Sequence, residues 1–317
     1  MTRVLVTGAT GLVGRAVCDT LVHGGYIVRA AVRSEARGLP AAVDVVGVGD
    51  IAAQADWKRA LDGVDSVCHL AARAHVLESS ALGAGEYLQT NVRATRTLLE
   101  CSAAAGVRRF IYVSSIKVNG EETLGKAFTP RDVSAPRDEY ARSKCLAEET
   151  VREVCTQRGI ESVIVRPPLV YGPGVRANFL RLMRWVDLGR PVPLGAIANA
   201  RSLVSVWNLA SMLVRTLEHP AAAGRVWLVS DGRDLSTPDL IRSLGRALQR
   251  RVRLVAVPVS LLRLAGRMVG RAAEVARLCG SLEIDISATR RELDWSPVLS
   301  VEDGLARTAD WYRGRSH

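Results

Sequence analysis

Arg3-Val4-Leu5-Val6-Thr7-Gly8-Ala9-Thr10-Gly11-Leu12-Val13-Gly14 opens the chain, and its reading decides the fold. Arg3–Thr7 is a compact, mostly β-branched run that predicts a short strand, and apolar spacing from Leu12 to Gly24 predicts a helix. Between them glycine recurs at positions 8, 11 and 14. A glycine turn joining a strand to a helix lets the backbone bend sharply. It also aims the free N–H groups of the helix at an anion, which suits a pyrophosphate. The spacing is one residue wider than G-x-G-x-x-G, yet its context implies a dinucleotide site.

Working outward, the same alternation repeats. Tyr26–Val32, Val43–Val48, Ser66–Leu70, Arg109–Ser114 and Ser162–Arg166 read as strands, while Asp56–Leu61, Tyr87–Ala105 and Ala141–Arg158 show helical spacing. Continuous apolar strands alternating with helices predict an α/β protein with a parallel sheet covered on both faces. Beyond Arg166 the texture changes at Pro167-Pro168, Tyr171-Gly172-Pro173-Gly174 and Pro191-Val192-Pro193. The expected division is a dinucleotide-binding domain over 1–170 and a smaller C-terminal α/β substrate domain over 171–200 and 231–317. Strands near 203–207 and 225–230 are expected to return to the first domain. Leu235–Leu248 reads as a helix capped at Ser236-Thr237-Pro238-Asp239, and Val259–Leu278 as one long helix.

Composition narrows the function. The 317 residues are 48% hydrophobic and 24% charged, with mean hydropathy +0.10, which suits a globular protein. Six scattered cysteines without a C-x-x-C pair argue against a disulfide framework or a metal centre and fit a reducing compartment. The N-terminal apolar run is too short for a signal peptide, so a cytoplasmic location is expected. No run is long enough for membrane insertion.

Net charge is +11, with 20 basic against 18 acidic residues in 1–160 and 23 against 14 in 161–317. Basic tracts interleaved with aromatics are missing, which argues against nucleic acid. Arginines dispersed through the second half suit phosphates on a ligand. Leu261–Leu278 interleaves Arg263, Arg267, Arg271 and Arg277 with apolar residues. A basic amphipathic helix can lie on an anionic bilayer, but the expectation here is an apolar face packed on the second domain with solvated arginines.

Three features carry chemistry. The second strand ends without the acid that binds both ribose hydroxyls in NAD sites; Arg33 stands there instead, which favours NADP over NAD. Tyr140-Ala141-Arg142-Ser143-Lys144 places a phenol and an ammonium on one helix face. The cation lowers the cost of a phenolate, as acid/base work near pH 7 requires. Ser115, just past the carboxyl end of the 109–114 strand, sits where open α/β sheets bind ligands and can steady an oxygen whose proton Tyr140 handles.

With these residues in view, the sequence resembles the extended short-chain dehydrogenase/reductases, specifically the nucleotide-sugar epimerase/dehydratase family, over nearly its whole length. The carriers are TGATGLVG, Gly49-Asp50-Ile51, His69-Leu70-Ala71-Ala72, Asn91, Ser114-Ser115, YARSK and RPPLVYGPG. The resemblance implies an α/β fold with a Rossmann-type, doubly wound parallel sheet and a smaller C-terminal α/β substrate domain, and Ser115, Tyr140 and Lys144 as catalytic residues. It implies a cofactor path of Gly8, Gly11, Leu12, Val13, Gly14, Asp50, Ile51, Leu70, Ala71, Ala72, Asn91 and Pro167, and a nucleotide-diphosphate site using Asn178, Arg201 and Arg277. A UDP-sugar substrate and a homodimer built on the Tyr87–Ala105 and Ala141–Arg158 helices also follow from it. Val118-Asn119-Gly120 and Leu169 depart from the pattern of many 4-epimerases, and SSIKVNGEET, ANFLRLM and RSLV are similar to a bacterial subgroup in surface-polysaccharide biosynthesis. The expectation is NAD(P)H-dependent reduction of a UDP-4-keto-6-deoxy-N-acetylhexosamine, with an NAD-dependent UDP-hexose 4-epimerase as the alternative. A cofactor-sensing protein without catalysis is the minor alternative. Dehydration is disfavoured because Ile116-Lys117, not an acid pair, follows Ser115.

Overall fold

A computed structural model describes residues 1–34, 36, 38–53, 55–73 and 83–314. Its frame is a seven-stranded, all-parallel sheet in the order β3-β2-β1-β4-β5-β6-β9. The strands are β1 (Arg3–Thr7), β2 (Ile27–Val32), β3 (Asp44–Gly47), β4 (Ser66–His69), β5 (Arg109–Val113), β6 (Glu161–Arg166) and β9 (Arg225–Leu228). β4 and β5 are buried along their whole length. Such strands have helices on both faces, which explains their unbroken apolar runs. On one face α1 (Leu12–His23) packs Val17, Cys18 and Leu21 beside Leu209, Met212 and Leu213 of α7 (Val206–Glu218). On the other, α4 (Ala94–Ala104) and α5 (Glu139–Arg158) contribute Leu98, Leu99, Ala147, Val151 and Val154.

The strand order reverses between β1 and β4. The crevice above their carboxyl ends is where this architecture takes ligands.

Two expectations are corrected. Leu203–Ser205 forms a strand, β8, but it pairs in parallel with β7 (Leu169–Tyr171) in a separate two-stranded sheet. Only β9 joins the main sheet, beside β6. The long helix over 259–278 is two: α9 (Val259–Met268) and α10 (Ala272–Cys279). The chain reverses at Gly270, whose φ of +69° is the left-handed conformation glycine adopts at no steric cost.

The C-terminal core gathers α6 (Ala177–Asp187), α8 (Thr237–Ala247) and α12 (Val301–Gly314) around Met183, Ile241, Leu244 and Leu305. Tyr171 of β7 stacks on Phe179 at 5.5 Å and donates to Asp231 Oδ2 at 2.7 Å. Thus the small sheet and the C-terminal core are joined by a buried ring pair and a buried carboxylate.

Candidate active site

The β1–α1 turn is built by close packing. Gly8 has φ +67°, and a Cβ there would stand 2.8 Å from Ala71 N. A Cβ on Gly14 would stand 2.2 Å from Gly8 O, so α1 is pressed onto its own turn. Gly11 caps α1 without a side-chain bond, and Leu12 and Val13 form the first turn. The N–H groups of that turn are therefore not spent on a side-chain cap, as an anion site requires. Leu70, Ala71 and Ala72 follow β4 directly opposite: Leu70 N bonds Thr7 O at 3.3 Å and Ala71 N bonds Thr7 Oγ1 at 3.2 Å. Observed backbone and packing thus fit a dinucleotide cradle.

A buried polar chain braces that cradle. Thr7 Oγ1 lies 2.6 Å from His69 Nδ1, and His69 Nε2 lies 2.9 Å from Thr95 Oγ1. Thr95 donates to Asn91 O at 2.8 Å, which leaves its oxygen to accept from Nε2–H of His69. Nδ1 then accepts from Thr7, so the donor inventory fixes the Nε2–H tautomer. Burial, reinforced by the Lys144 charge, drives the His69 pKa down to about 3. Asn91, in a π-helical turn over Leu88–Arg93, donates to Ser143 Oγ at 2.9 Å and accepts from Arg73 N at 2.8 Å. Ser143 donates to Tyr140 O at 2.8 Å. Hydrogen bonds therefore run from the glycine turn to the helix bearing Tyr140.

The structure places Ser115, Tyr140 and Lys144 near the carboxyl end of β5, Tyr140 hydrogen-bonded with Ser115 and Lys144 with Val113 O. Ser115 leaves β5 in extended backbone and caps a short 3-10 turn, Ile116–Val118. Asp138 caps α5 by accepting from Ala141 N at 2.7 Å, which sets Tyr140 in the first turn. Burial pushes the Tyr140 phenol up to about 12; a hydrogen bond with Ser115 opposes this, while Asp138 and Tyr87 add to it. Lys144 is 2% exposed. Its Nζ donates to Val113 O at 2.8 Å and lies 4.5 Å from the Tyr112 ring centroid. Burial lowers its pKa to about 7, against the opposing pull of Glu148. Pro167 adjoins the same strand ends, accepting from Ile116 N at 2.9 Å.

The remaining candidates are placed differently. Arg33 is exposed, with Nη2 3.9 Å from Asp50 Oδ1, so an acid does stand near the end of β2. Ile51 follows Asp50 in a turn beside the sheet's second core. Asn178 is exposed on the first turn of α6 and accepts from Arg181. Arg201 is largely buried and donates to Arg277 O at 2.8 Å and Gly280 O at 2.9 Å. Burial and the neighbouring Arg277 lower its pKa, with Glu121 opposing. The two arginines are therefore adjacent, while Asn178 bonds elsewhere.

Sequence reading missed Lys117 and Asp138. Lys117 Nζ donates to Asp138 Oδ2 and, at 3.1 Å, to Glu121 Oε1. Only the four-residue spacing from Lys117 to Glu121 hinted at this. The reading also missed Arg166, which donates to both oxygens of Glu148 at 2.8 and 2.6 Å and holds Asn119 Oδ1 at 2.8 Å. That buried pair fixes the end of β6 against α5.

A glycine cradle at the sheet's switch point, with Ser115 and Lys144 at the end of β5, fits a nicotinamide-dinucleotide enzyme of the extended short-chain dehydrogenase type. The chain belongs to the NAD dependent epimerase/dehydratase family, whose model matches residues 4–230. A UDP-glucose 4-epimerase of Vibrio cholerae is 42% identical over 313 residues, covering 96% of this chain and 94% of the relative. A Bacillus cereus UDP-glucuronic acid 4-epimerase, solved with NAD, superposes with TM-score 0.80 at 22% identity, covering both chains completely. A Streptomyces venezuelae dTDP-glucose 4,6-dehydratase, solved with NAD, gives TM-score 0.77 at 28% identity over 99% of this chain and 97% of the other.

Proposed function

We propose that this chain interconverts UDP-hexoses at C4 with NAD, the reading that the sequence alone set second to 4-keto reduction. The observation that carries it is the 42% identity, over nearly the full length of both chains, to a relative named a UDP-glucose 4-epimerase. The Asp50 carboxylate near Arg33 supports NAD over NADP, because it would repel a 2′-phosphate and accept from a ribose hydroxyl.

Bound NAD supplies the hydride acceptor and donor for C4. Tyr140 Oη takes the proton of the C4 hydroxyl and later returns one. Ser115 steadies the same oxygen by hydrogen bonding. Ser115 opposes the desolvation that pushes Tyr140 upward, and Lys144, when protonated, would favour the phenolate further. Gly8, Gly11 and Gly14 hold the pyrophosphate with backbone, and Arg201 and Arg277 supply charge for the sugar-nucleotide diphosphate. Dehydration is not supported, since Ile116 is buried and Lys117 is tied to Asp138 and Glu121, leaving no carboxyl at the two positions after Ser115.

The test uses protein purified without added nicotinamide. UDP-glucose should give UDP-galactose, or UDP-N-acetylglucosamine its C4 epimer, with NAD released stoichiometrically on denaturation. Protein that yields no epimers but oxidises NADPH with a UDP-4-keto sugar would reinstate the reductase.

A further inference from the structure

The expected burial of the basic amphipathic segment does not occur. Gly266 is the only buried residue of α9, and α10 has none. The two helices pack on each other, where a Cβ on Gly266 would meet Val275 Cγ2 at 2.6 Å. That contact uses one face of the hairpin and leaves another open. Leu261, Leu264 and Met268, spaced to share a helix face, are 54%, 54% and 77% exposed, and Val269 at the tip is 67% exposed. Arg263 and Arg267 lie on the adjacent stripe, also exposed, and Arg271 follows the tip. Residues 250–280 hold seven arginines and one acid, Glu274, which faces Arg181 at 3.7 Å.

We propose that the α9–α10 hairpin is a docking surface for an anionic phospholipid bilayer, with Met268 and Val269 entering the headgroup region and the arginines meeting lipid phosphates. Charge complementarity selects this occupant. An apolar ridge flanked by arginines and nearly free of acids matches the interfacial helices that lie on anionic membranes, whereas a self-complementary protein contact would need acids to face the arginines. Among the described residues no helix is long and apolar enough to cross a membrane, so the contact is peripheral. The far end of the hairpin is anchored to the candidate site. Leu278 O accepts from Thr237 Oγ1 at 2.8 Å and Asn199 Nδ2 at 3.1 Å, and Arg277 O accepts from Arg201. Docking therefore holds the arginines of the substrate site next to the lipid surface. The inference is independent of the reaction assigned above.

The test is cosedimentation of the full chain with vesicles of phosphatidylcholine alone or with 30% phosphatidylglycerol, in low and physiological salt. Wild type should favour the anionic vesicles at least ~10-fold. Since any chain of net charge +11 is drawn to anionic lipid, the deciding variant is the charge-neutral Leu264→Ser/Met268→Ser. It should weaken binding ~10-fold at physiological salt while circular dichroism and melting temperature stay unchanged. Arg263→Gln/Arg267→Gln should reduce the anionic preference, and Leu261→Ser is a milder version of the first variant. Undiminished binding by the serine variants would make the attraction generic and overturn the proposal. So would no vesicle binding by wild type, or a self-association in sedimentation velocity that the serine variants abolish while lipid binding persists.

Discussion

At the scale of single residues, burial moves three titratable groups of the candidate site away from their ordinary values. His69 is buried neutral, Lys144 is held at about 7 and Tyr140 at about 12. Tyr140→Phe keeps the ring but has no proton to move, so turnover should fall ~10²–10⁴-fold while NAD stays bound, as epimer formation and absorbance of released nucleotide will report. Lys144→Ala should lower both rate and NAD retention, because one cation serves the phenolate and the cradle. His69 makes a different prediction. Its folded pKa lies below the unfolded value near 6.5, so between those two values the unfolded chain binds the extra proton. Stability is therefore intact above pH 6.5 and lost as pH falls toward 3, on the order of 3 kcal/mol by pH 4. Urea unfolding at pH 7 and pH 5 checks this: His69→Gln should be less stable at pH 7 and show a shallower acid dependence than wild type. The three residues proposed for catalysis stand out in the sequence because Tyr140 and Lys144 share a helix face and Ser115 follows the strand that ends at Val113. The role of His69 was not, since it rests on Thr7 and Thr95, which lie 62 and 26 residues away.

At the scale of elements, parallel strands buried on both faces, such as β4 and β5, announce themselves as apolar runs, while the edge strand β3 buries only Val46 and is legible from Val43–Val48 as a whole. A three-residue strand does not announce its partner. Leu203-Val204-Ser205 reads the same whether it joins the main sheet or, as observed, pairs with Leu169–Tyr171. The break between α9 and α10 was hidden because apolar spacing continues through Val269-Gly270-Arg271, and only the left-handed φ of Gly270 reveals the reversal. The start of α7 at Val206 overlaps the strand expected near 203–207, because Val204 and Val206 continue its apolar run. The glycine turn yields an element-scale prediction. Gly14→Ala forces a methyl to 2.2 Å from Gly8 O and 2.6 Å from Ala9 Cα, so α1 must move off its turn. Stability should drop by about 1–3 kcal/mol, and the purified protein should lose bound NAD. Gly85→Ala, in the helix over Gly83–Tyr87 with nothing within 4 Å, is the contrast. It should leave NAD in place and stabilise by about 0.5–1 kcal/mol.

At the scale of the whole molecule, charge is distributed as function would ask of a chain that receives anions. The first 160 residues are close to neutral, and the arginine-rich remainder carries most of the +11. Many of those arginines are in local pairs, such as Arg225 with Glu292, Arg233 with Glu302 and Arg250 with Asp187. Exposed pairs of this kind contribute little to stability, but pairing does not cancel the excess, because acids run short. For the proposed sugar nucleotide, whose diphosphate carries two negative charges, the uncompensated field would favour approach to the C-terminal half before any contact forms. Such steering acts on encounter and is screened by salt over about 8–10 Å at physiological ionic strength. The proposed proton and hydride steps would take place around half-buried Tyr140 and buried Lys144, where added salt has little reach. Raising potassium chloride from 20 to 300 mM should therefore lower kcat/KM for the UDP-sugar by roughly 10-fold through KM and leave kcat nearly constant. Steady-state kinetics at several salt concentrations, with a neutral osmolyte as control, measures this directly. A kcat that falls in step with kcat/KM would mean that salt acts on the catalytic groups themselves and that the basic half does not steer.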